Sequence, residues 1–134
     1  MNRNVLFVDD EPNLLDAYRR QMRKWFQVET ALGARRALEL LAEQEFAVVI
    51  SDMRMPDLDG IDFLSEVARR WPNIARVMLT GNADVPGATQ AVQEGRIFRF
   101  LTKPCEREAL LAVLDAAARQ YAVDAACRTT VGAS

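Results

Sequence analysis

Short runs of apolar, β-branched residues alternate along the chain with longer stretches in which apolar side chains recur every three or four positions. The runs lie at Val5 to Val8, Val28 to Ala31, Phe46 to Ile50, Val77 to Leu79 and Ile97 to Leu101, and each predicts a strand. The stretches between them predict helices. In the first, Leu14, Leu15, Tyr18, Met22 and Trp25 fall on one arc of about 100°, with Arg19, Arg20, Arg23 and Lys24 around the remainder. Ala34, Ala37, Leu38 and Leu41 mark a second helix, and Ile61, Leu64, Val67, Ala68 and Trp71 a third. Val85, Ala88, Ala91 and Val92 mark a fourth, and a fifth runs from Glu106 into the alanines around Ala116 to Ala118. Pro12 suits a first helical turn, Asp59-Gly60 a turn before the third helix, and Pro72 the end of that helix.

Strand followed by helix, repeated along the whole chain, predicts a doubly wound (βα)5 sandwich of three layers. Parallel neighbours need a crossover, and right-handed crossovers place helices on both faces of the sheet. The nearly all-apolar first, third and fourth strands suit interior positions covered on both sides, whereas the more polar Val28-Glu29-Thr30-Ala31 suits an edge. Nothing resembling a linker or repeat divides residues 1–127, so they read as one domain, and Arg128 to Ser134 read as an unstructured polar tail. The fourth helix opens with Asp84-Val85-Pro86-Gly87; a glycine inside a helix costs about 1 kcal/mol relative to alanine, which predicts a frayed first turn.

Charge and composition narrow the chemistry. With 17 basic against 19 acidic residues the net charge is −2, which gives no overall pull toward nucleic acid or an anionic membrane. No apolar run approaches the roughly 20 residues of a membrane span, and Met1-Asn2-Arg3-Asn4 lacks the features of a signal peptide. Cys105 and Cys127 read as free thiols of a reducing compartment, so a cytoplasmic location is expected. The 134 residues include no histidine, which removes His-liganded metals, a Ser-His-Asp triad and any self-contained histidine acid–base step. The available groups are carboxylates, hydroxyls, amides and a few cations.

Those groups collect where the predicted strands end. The first strand runs into Asp9-Asp10-Glu11, the third into Ser51-Asp52, the fourth into Thr80-Gly81 and the fifth into Thr102-Lys103-Pro104. In open parallel sheets the ligand site lies outside the carboxyl ends of the strands. Carboxylates crowded together repel one another unless a cation compensates them or some are protonated. An all-oxygen donor set selects a hard ion, Mg2+ before Mn2+ or Ca2+. Taken singly, each residue has an ordinary use: an acidic pair caps a helix, a threonine ends a strand, a phenylalanine fills a core, a lysine is solvated. Their convergence on one sheet edge is what points to phosphoryl chemistry.

Across about residues 4 to 125 the chain resembles the receiver domains of two-component response regulators. The elements that carry the resemblance are Val8-Asp9-Asp10-Glu11, Asp52 followed by Met55-Pro56-Asp57-Leu58-Asp59-Gly60, Leu79-Thr80-Gly81, and Phe100-Leu101-Thr102-Lys103-Pro104. The resemblance implies a flavodoxin-like sheet of order 2-1-3-4-5. It implies that Asp52 is the phosphoacceptor for a phosphohistidine on a sensor histidine kinase or His-phosphotransfer protein. Asp10 would ligate Mg2+ directly, Asp9 mainly through water, with Asp52 and the backbone carbonyl of Arg54 completing the protein ligands. Lys103 would place a compact cation on a phosphoryl oxygen, and Pro104 would shape the loop, in this family typically through a cis Lys-Pro bond. Thr80 and Phe100 resemble the family's switch pair; Gly81 would leave room beside the phosphorus, and Arg54 and Asn82 occupy positions whose residue type tunes acyl phosphate hydrolysis. The switching face would be the fourth helix, fifth strand and fifth helix, open to a downstream protein, an output domain or a second copy. The chain would catalyse only its own phosphoryl transfer and autodephosphorylation, so it is not an enzyme acting on separate substrates.

The segment from Gln93 to Cys105 further resembles receivers joined to HD-type phosphodiesterases or other cyclic-nucleotide outputs. Two rival readings are a phosphorylation-independent receiver-like module and a flavodoxin-like cofactor protein. The intact acidic set with Lys103 speaks against the first. Asp9-Asp10-Glu11-Pro12, where a phosphate-cradling loop would stand, speaks against the second.

Overall fold

The computed structural model describes residues 2–133, with side chains placed through residue 127. Five parallel strands, β1 (Asn4–Asp9), β2 (Gln27–Leu32), β3 (Val48–Asp52), β4 (Ala75–Thr80) and β5 (Arg99–Thr102), form one sheet of order β2-β1-β3-β4-β5. The helices are α1 (Pro12–Met22), α2 (Ala34–Glu43), α3 (Gly60–Arg70), α4 (Val85–Gln93) and α5 (Arg107–Ala133), with a 3-10 turn at Asn82–Asp84 leading into α4. This is the doubly wound, flavodoxin-like receiver fold.

Side-chain alternation on the strands sorts the core into two halves. Leu6 and Val8 on β1, Val49 on β3 and Met78 on β4 pack against Ala37 and Leu41 of α2, Phe63 and Val67 of α3, and Ala88 and Ala91 of α4. Their neighbours Val5, Phe7, Ile50, Val77 and Leu79 pack against Leu15 and Met22 of α1 and Leu110 and Leu114 of α5. Burial on both faces explains why β1, β3 and β4 read as continuous apolar runs, while β2 lies at the sheet's edge.

Several boundaries differ from the sequence expectation for physical reasons. Phe46 and Ala47 are buried but precede β3, and Ile97 is a core anchor on the turn after α4, which Gly95 reverses with φ +75°. Strand β5 therefore begins at Arg99 rather than Ile97. Trp25 lies beyond α1, whose last turn closes with the Arg23 amide donating to the Arg19 carbonyl, 2.9 Å; the Trp25 amide donates to the Met22 carbonyl, 3.0 Å, in the turn that follows. A 3-10 turn leads into α4, whose helical backbone starts at Val85 with no side-chain cap. Helix α5 continues to Ala133, so the backbone past Arg128 is helical where an unstructured tail was expected; Ser134 is outside the described residues.

Arg76 on β4 is a half-buried cation. Its guanidinium donates to the carbonyls of Arg96 (2.8 Å), Ile74 (3.0 Å), Pro72 (3.4 Å) and Gly95 (3.4 Å), tying the approach to β4 to the turn that closes α4. Replacing it by methionine leaves these acceptors without their donor. Arg76→Met is expected to lower stability by about 2 kcal/mol, read from urea midpoints at constant slope.

Candidate functional site

The sheet brings the polar strand ends together at its carboxyl edge. Strand order reverses about β1, which has β2 on one side and β3 on the other, and this is where open α/β sheets bind ligands. Asp9 ends β1, Asp10 follows it, and Asp52 ends β3; each offers a carboxylate oxygen within 4.8 Å of the others. Asp9 is 1% exposed, Asp52 half-buried and Asp10 exposed. The Nζ of Lys103, just past β5, stands 3.0 Å from Oδ1 of Asp52 and 3.4 Å from Oδ2 of Asp9. Its own amide donates to the Thr80 carbonyl, 2.9 Å, so β4 fixes the base of the lysine. The Lys103-Pro104 bond is cis, as the resemblance implies.

Electrostatics inside the cluster are unbalanced. Burial pushes the Asp9 carboxyl above its usual range, outweighing the Glu11 amide that donates to Oδ1 at 3.0 Å and the nearby Lys103 charge. Burial by itself would pull the Lys103 ammonium down, but its hydrogen bond to Asp52 and the charges of Asp9 and Asp52 prevail and raise it. Three carboxylates therefore face one ammonium. An all-oxygen cluster with residual negative charge and one exposed member fits a hard divalent cation that keeps part of its water shell.

The loop after Asp52 is pinned at several points. The Met53 amide donates to the Leu79 carbonyl, 3.0 Å, and the Gly60 amide to the Met53 carbonyl, 2.8 Å. Asp59 caps α3 by accepting from the Ile61 amide, 3.1 Å. Asp57 reaches across to the start of α2, accepting from the amides of Ala34 (3.3 Å) and Arg35 (3.0 Å). The Arg35 amide is the main reason the Asp57 carboxyl sits below its usual range. The sequence reading named Asp57 only as part of a motif; its role as a cap for another helix follows from tertiary proximity.

The remaining predicted residues are also here. Thr80 is fully buried at the end of β4, its hydroxyl donating to the Gly81 carbonyl, 3.2 Å. Phe100 lies opposite Met78 in the β4–β5 register and packs half-buried against the same core half. Gly81 faces open space, with nothing within 4 Å of where a Cβ would stand. Asn82 and Arg54 are exposed at the rim. Sequence reasoning missed Asp84, which forms a two-point ion pair with Arg54: Nη2 to Oδ1, 2.6 Å, and Nε to Oδ2, 3.2 Å. Thirty positions separate the pair, and no local pattern reports it.

Comparison with known proteins agrees with this geometry. The model of the response regulator receiver domain family matches residues 5–115, and the chain belongs to that family. HoxA of Cupriavidus necator, a hydrogenase transcriptional regulatory protein, is 41% identical over 100 residues, which are 75% of this chain and 21% of that one. The chain thus spans about a fifth of that relative's length. A crystal structure of adenylate cyclase from Rhodopirellula baltica superposes with a TM-score of 0.97 at 33% identity, covering 100% of both chains. The signal receiver domain of an HD domain-containing protein from Pseudomonas fluorescens Pf-5 superposes with a TM-score of 0.84 at 30% identity, covering 92% of this chain and 91% of that one. No helix among the described residues is long and apolar enough to cross a membrane.

Proposed function

We propose that this receiver accepts a phosphoryl group on Asp52 from a phosphohistidine of a sensor histidine kinase or a His-phosphotransfer protein. The observation that carries the reading is the single ammonium of Lys103 shared between Asp52 and buried Asp9, within a carboxylate cluster open on the Asp10 side. An Asp52 carboxylate oxygen attacks phosphorus, the phosphorus–nitrogen bond breaks, and the donor imidazole leaves with the electron pair and takes a proton from water. Lys103 is poised to follow a phosphoryl oxygen on Asp52, and the Thr80 hydroxyl is free to exchange the Gly81 carbonyl for another. Asp9, Asp10, Asp52 and the Arg54 carbonyl would hold Mg2+, or Mn2+ in its place, which supplies positive charge to the phosphoryl oxygens.

The readout proposed is the face of α4, β5 and α5. Thr80 moving toward the phosphoryl group vacates space on the core face that Phe100 shares, and Phe100 has no phenol oxygen, so packing alone holds it inward. That face would meet a downstream protein, an output domain or a second copy. The chain acts as a cytoplasmic signalling phosphoacceptor that catalyses only its own transfer and hydrolysis.

Acetyl phosphate with Mg2+ tests this directly, by intact mass. Wild type is expected to gain one phosphoryl group, dependent on Mg2+, and Asp52→Ala to gain none. No gain in wild type, or an equal gain in Asp52→Ala, overturns the reading.

A further inference from the structure

One ion pair joins the loop after Asp52 to the turn that leads into α4. Arg54 follows Asp52 by two positions, and its guanidinium crosses to Asp84, on the 3-10 turn that leads from Thr80-Gly81 into α4. A cleft of about 340 Å3 on the Asp10 side of the cluster is lined by Asp10, Arg54, Met55, Pro56 and Asp59. Its side chain is 72% exposed, whereas that of Asp84 is 17% exposed. The arginine is free to move and the carboxylate is held by its element.

Asp84 has a second possible partner. It occupies the N-cap position of α4, where aspartate is among the preferred residues because its carboxylate accepts an amide of the first turn. Here it accepts none. Its backbone, φ −100° and ψ 2°, closes the 3-10 turn instead of taking the extended form usual at a capped start. The second residue of α4 is Pro86, which has no amide hydrogen, so the Gly87 amide is the one normally capped donor left. The carboxylate that could cap α4 is engaged by Arg54, and the helix starts with that donor uncapped.

We propose that Asp84 is a positioning carboxylate with two exclusive partners, the Arg54 guanidinium as found here and the Gly87 amide when a phosphoryl group on Asp52 attracts the guanidinium. The proposal rests on the reading that Asp52 is phosphorylated. A phosphoryl group brings acceptor oxygens and about −2 charge to Asp52, two residues before the exposed Arg54 side chain. Once the guanidinium turns inward, Asp84 is released, the 3-10 turn unwinds by one residue, and the carboxylate caps α4. The exchange links phosphorylation to the start of the switching face independently of Thr80 and Phe100. It also leaves Arg54 over the acyl phosphate, screening phosphorus from the water whose attack would break its bond to Asp52 and release inorganic phosphate and a proton.

Amide exchange at Gly87 and Ala88, with phosphoryl lifetime as a second readout, tests the exchange of partners. In unphosphorylated protein Arg54→Gln frees Asp84, and Asp84→Asn supplies a residue that caps without carrying charge. Both are expected to slow Gly87 exchange roughly five-fold, the usual worth of a cap, while Asp84→Ala is expected not to. Wild type treated with acetyl phosphate and Mg2+ is expected to show the same slowing. Its phosphoryl group should outlast that of Arg54→Gln several-fold, with Arg54→Lys in between. Gly87 exchange unchanged in both Arg54→Gln and Asp84→Asn overturns the proposal, as does slowing of equal size in Asp84→Ala. A wild type that gains no phosphoryl mass overturns the receiver chemistry instead, and the unphosphorylated variants still decide whether Asp84 has two partners.

Discussion

Gly60→Ala is expected to lose about 3 kcal/mol or more of stability and to abolish phosphorylation of whatever remains folded. A Cβ at this position would stand 2.2 Å from the Asp52 carbonyl oxygen and 2.9 Å from the Met53 Cα. Both obstacles are backbone, which cannot turn aside as a flexible side chain can. The φ of Gly60 is not positive, so the requirement is for space and not for a left-handed conformation. Relief would have to come from moving the start of α3 away from β3. That breaks the Gly60–Met53 hydrogen bond and shifts the loop carrying the Arg54 carbonyl. Stability and site geometry therefore fall together. Thermal unfolding and acetyl phosphate labelling of the same sample check this, and a Gly81→Ala control, whose Cβ would meet nothing within 4 Å, should unfold close to wild type.

Asp9→Asn is expected to separate stability from reaction in the opposite sense. The asparagine keeps an acceptor for the Glu11 amide but removes a carboxylate that burial disfavours. Because the folded protein raises the Asp9 pKa, ionisation of Asp9 costs stability. Its favourable contribution is complete below the unfolded value and disappears as pH rises through the folded one. The metal-free variant should thus be more stable than metal-free wild type at neutral pH and match it in acid, as urea midpoints would record. On the proposed function, added Mg2+ is expected to reverse the ranking: a ligand at a hundred times its Kd adds about 2.7 kcal/mol to the state that binds it, and the variant would lack one of the proposed donors. It should also be phosphorylated far more slowly.

What was legible in the chain reflects how local each cause is. Apolar periodicity is a property of neighbours along the sequence, so all five strands and helices were readable, and so was the placement of β2 at an edge from its polar residues. Boundaries failed where an apolar residue serves the core without belonging to the strand, as Ile97 and Phe46 do, or where helical spacing outruns the helix, as at Trp25. Asp9, Asp10, Asp52, Thr80 and Lys103 were readable as one site because each ends a strand or directly follows one, and parallel strands put their ends on one edge.

By itself the sequence determined the alternation of strand and helix, the two-sided burial of β1, β3 and β4, and which polar groups would gather at the sheet's edge. The tertiary structure alone decided how those groups are held. Asp57 reaches the start of α2, Gly60 lies against the backbone of Asp52, Arg76 bridges four carbonyls, and Asp84 is engaged by Arg54 instead of α4. The Asp57–Arg35, Arg76–Arg96 and Arg54–Asp84 contacts join residues 22, 20 and 30 positions apart in the chain. A short polar side chain has equally good local partners wherever it stands, so only the packed arrangement selects among them.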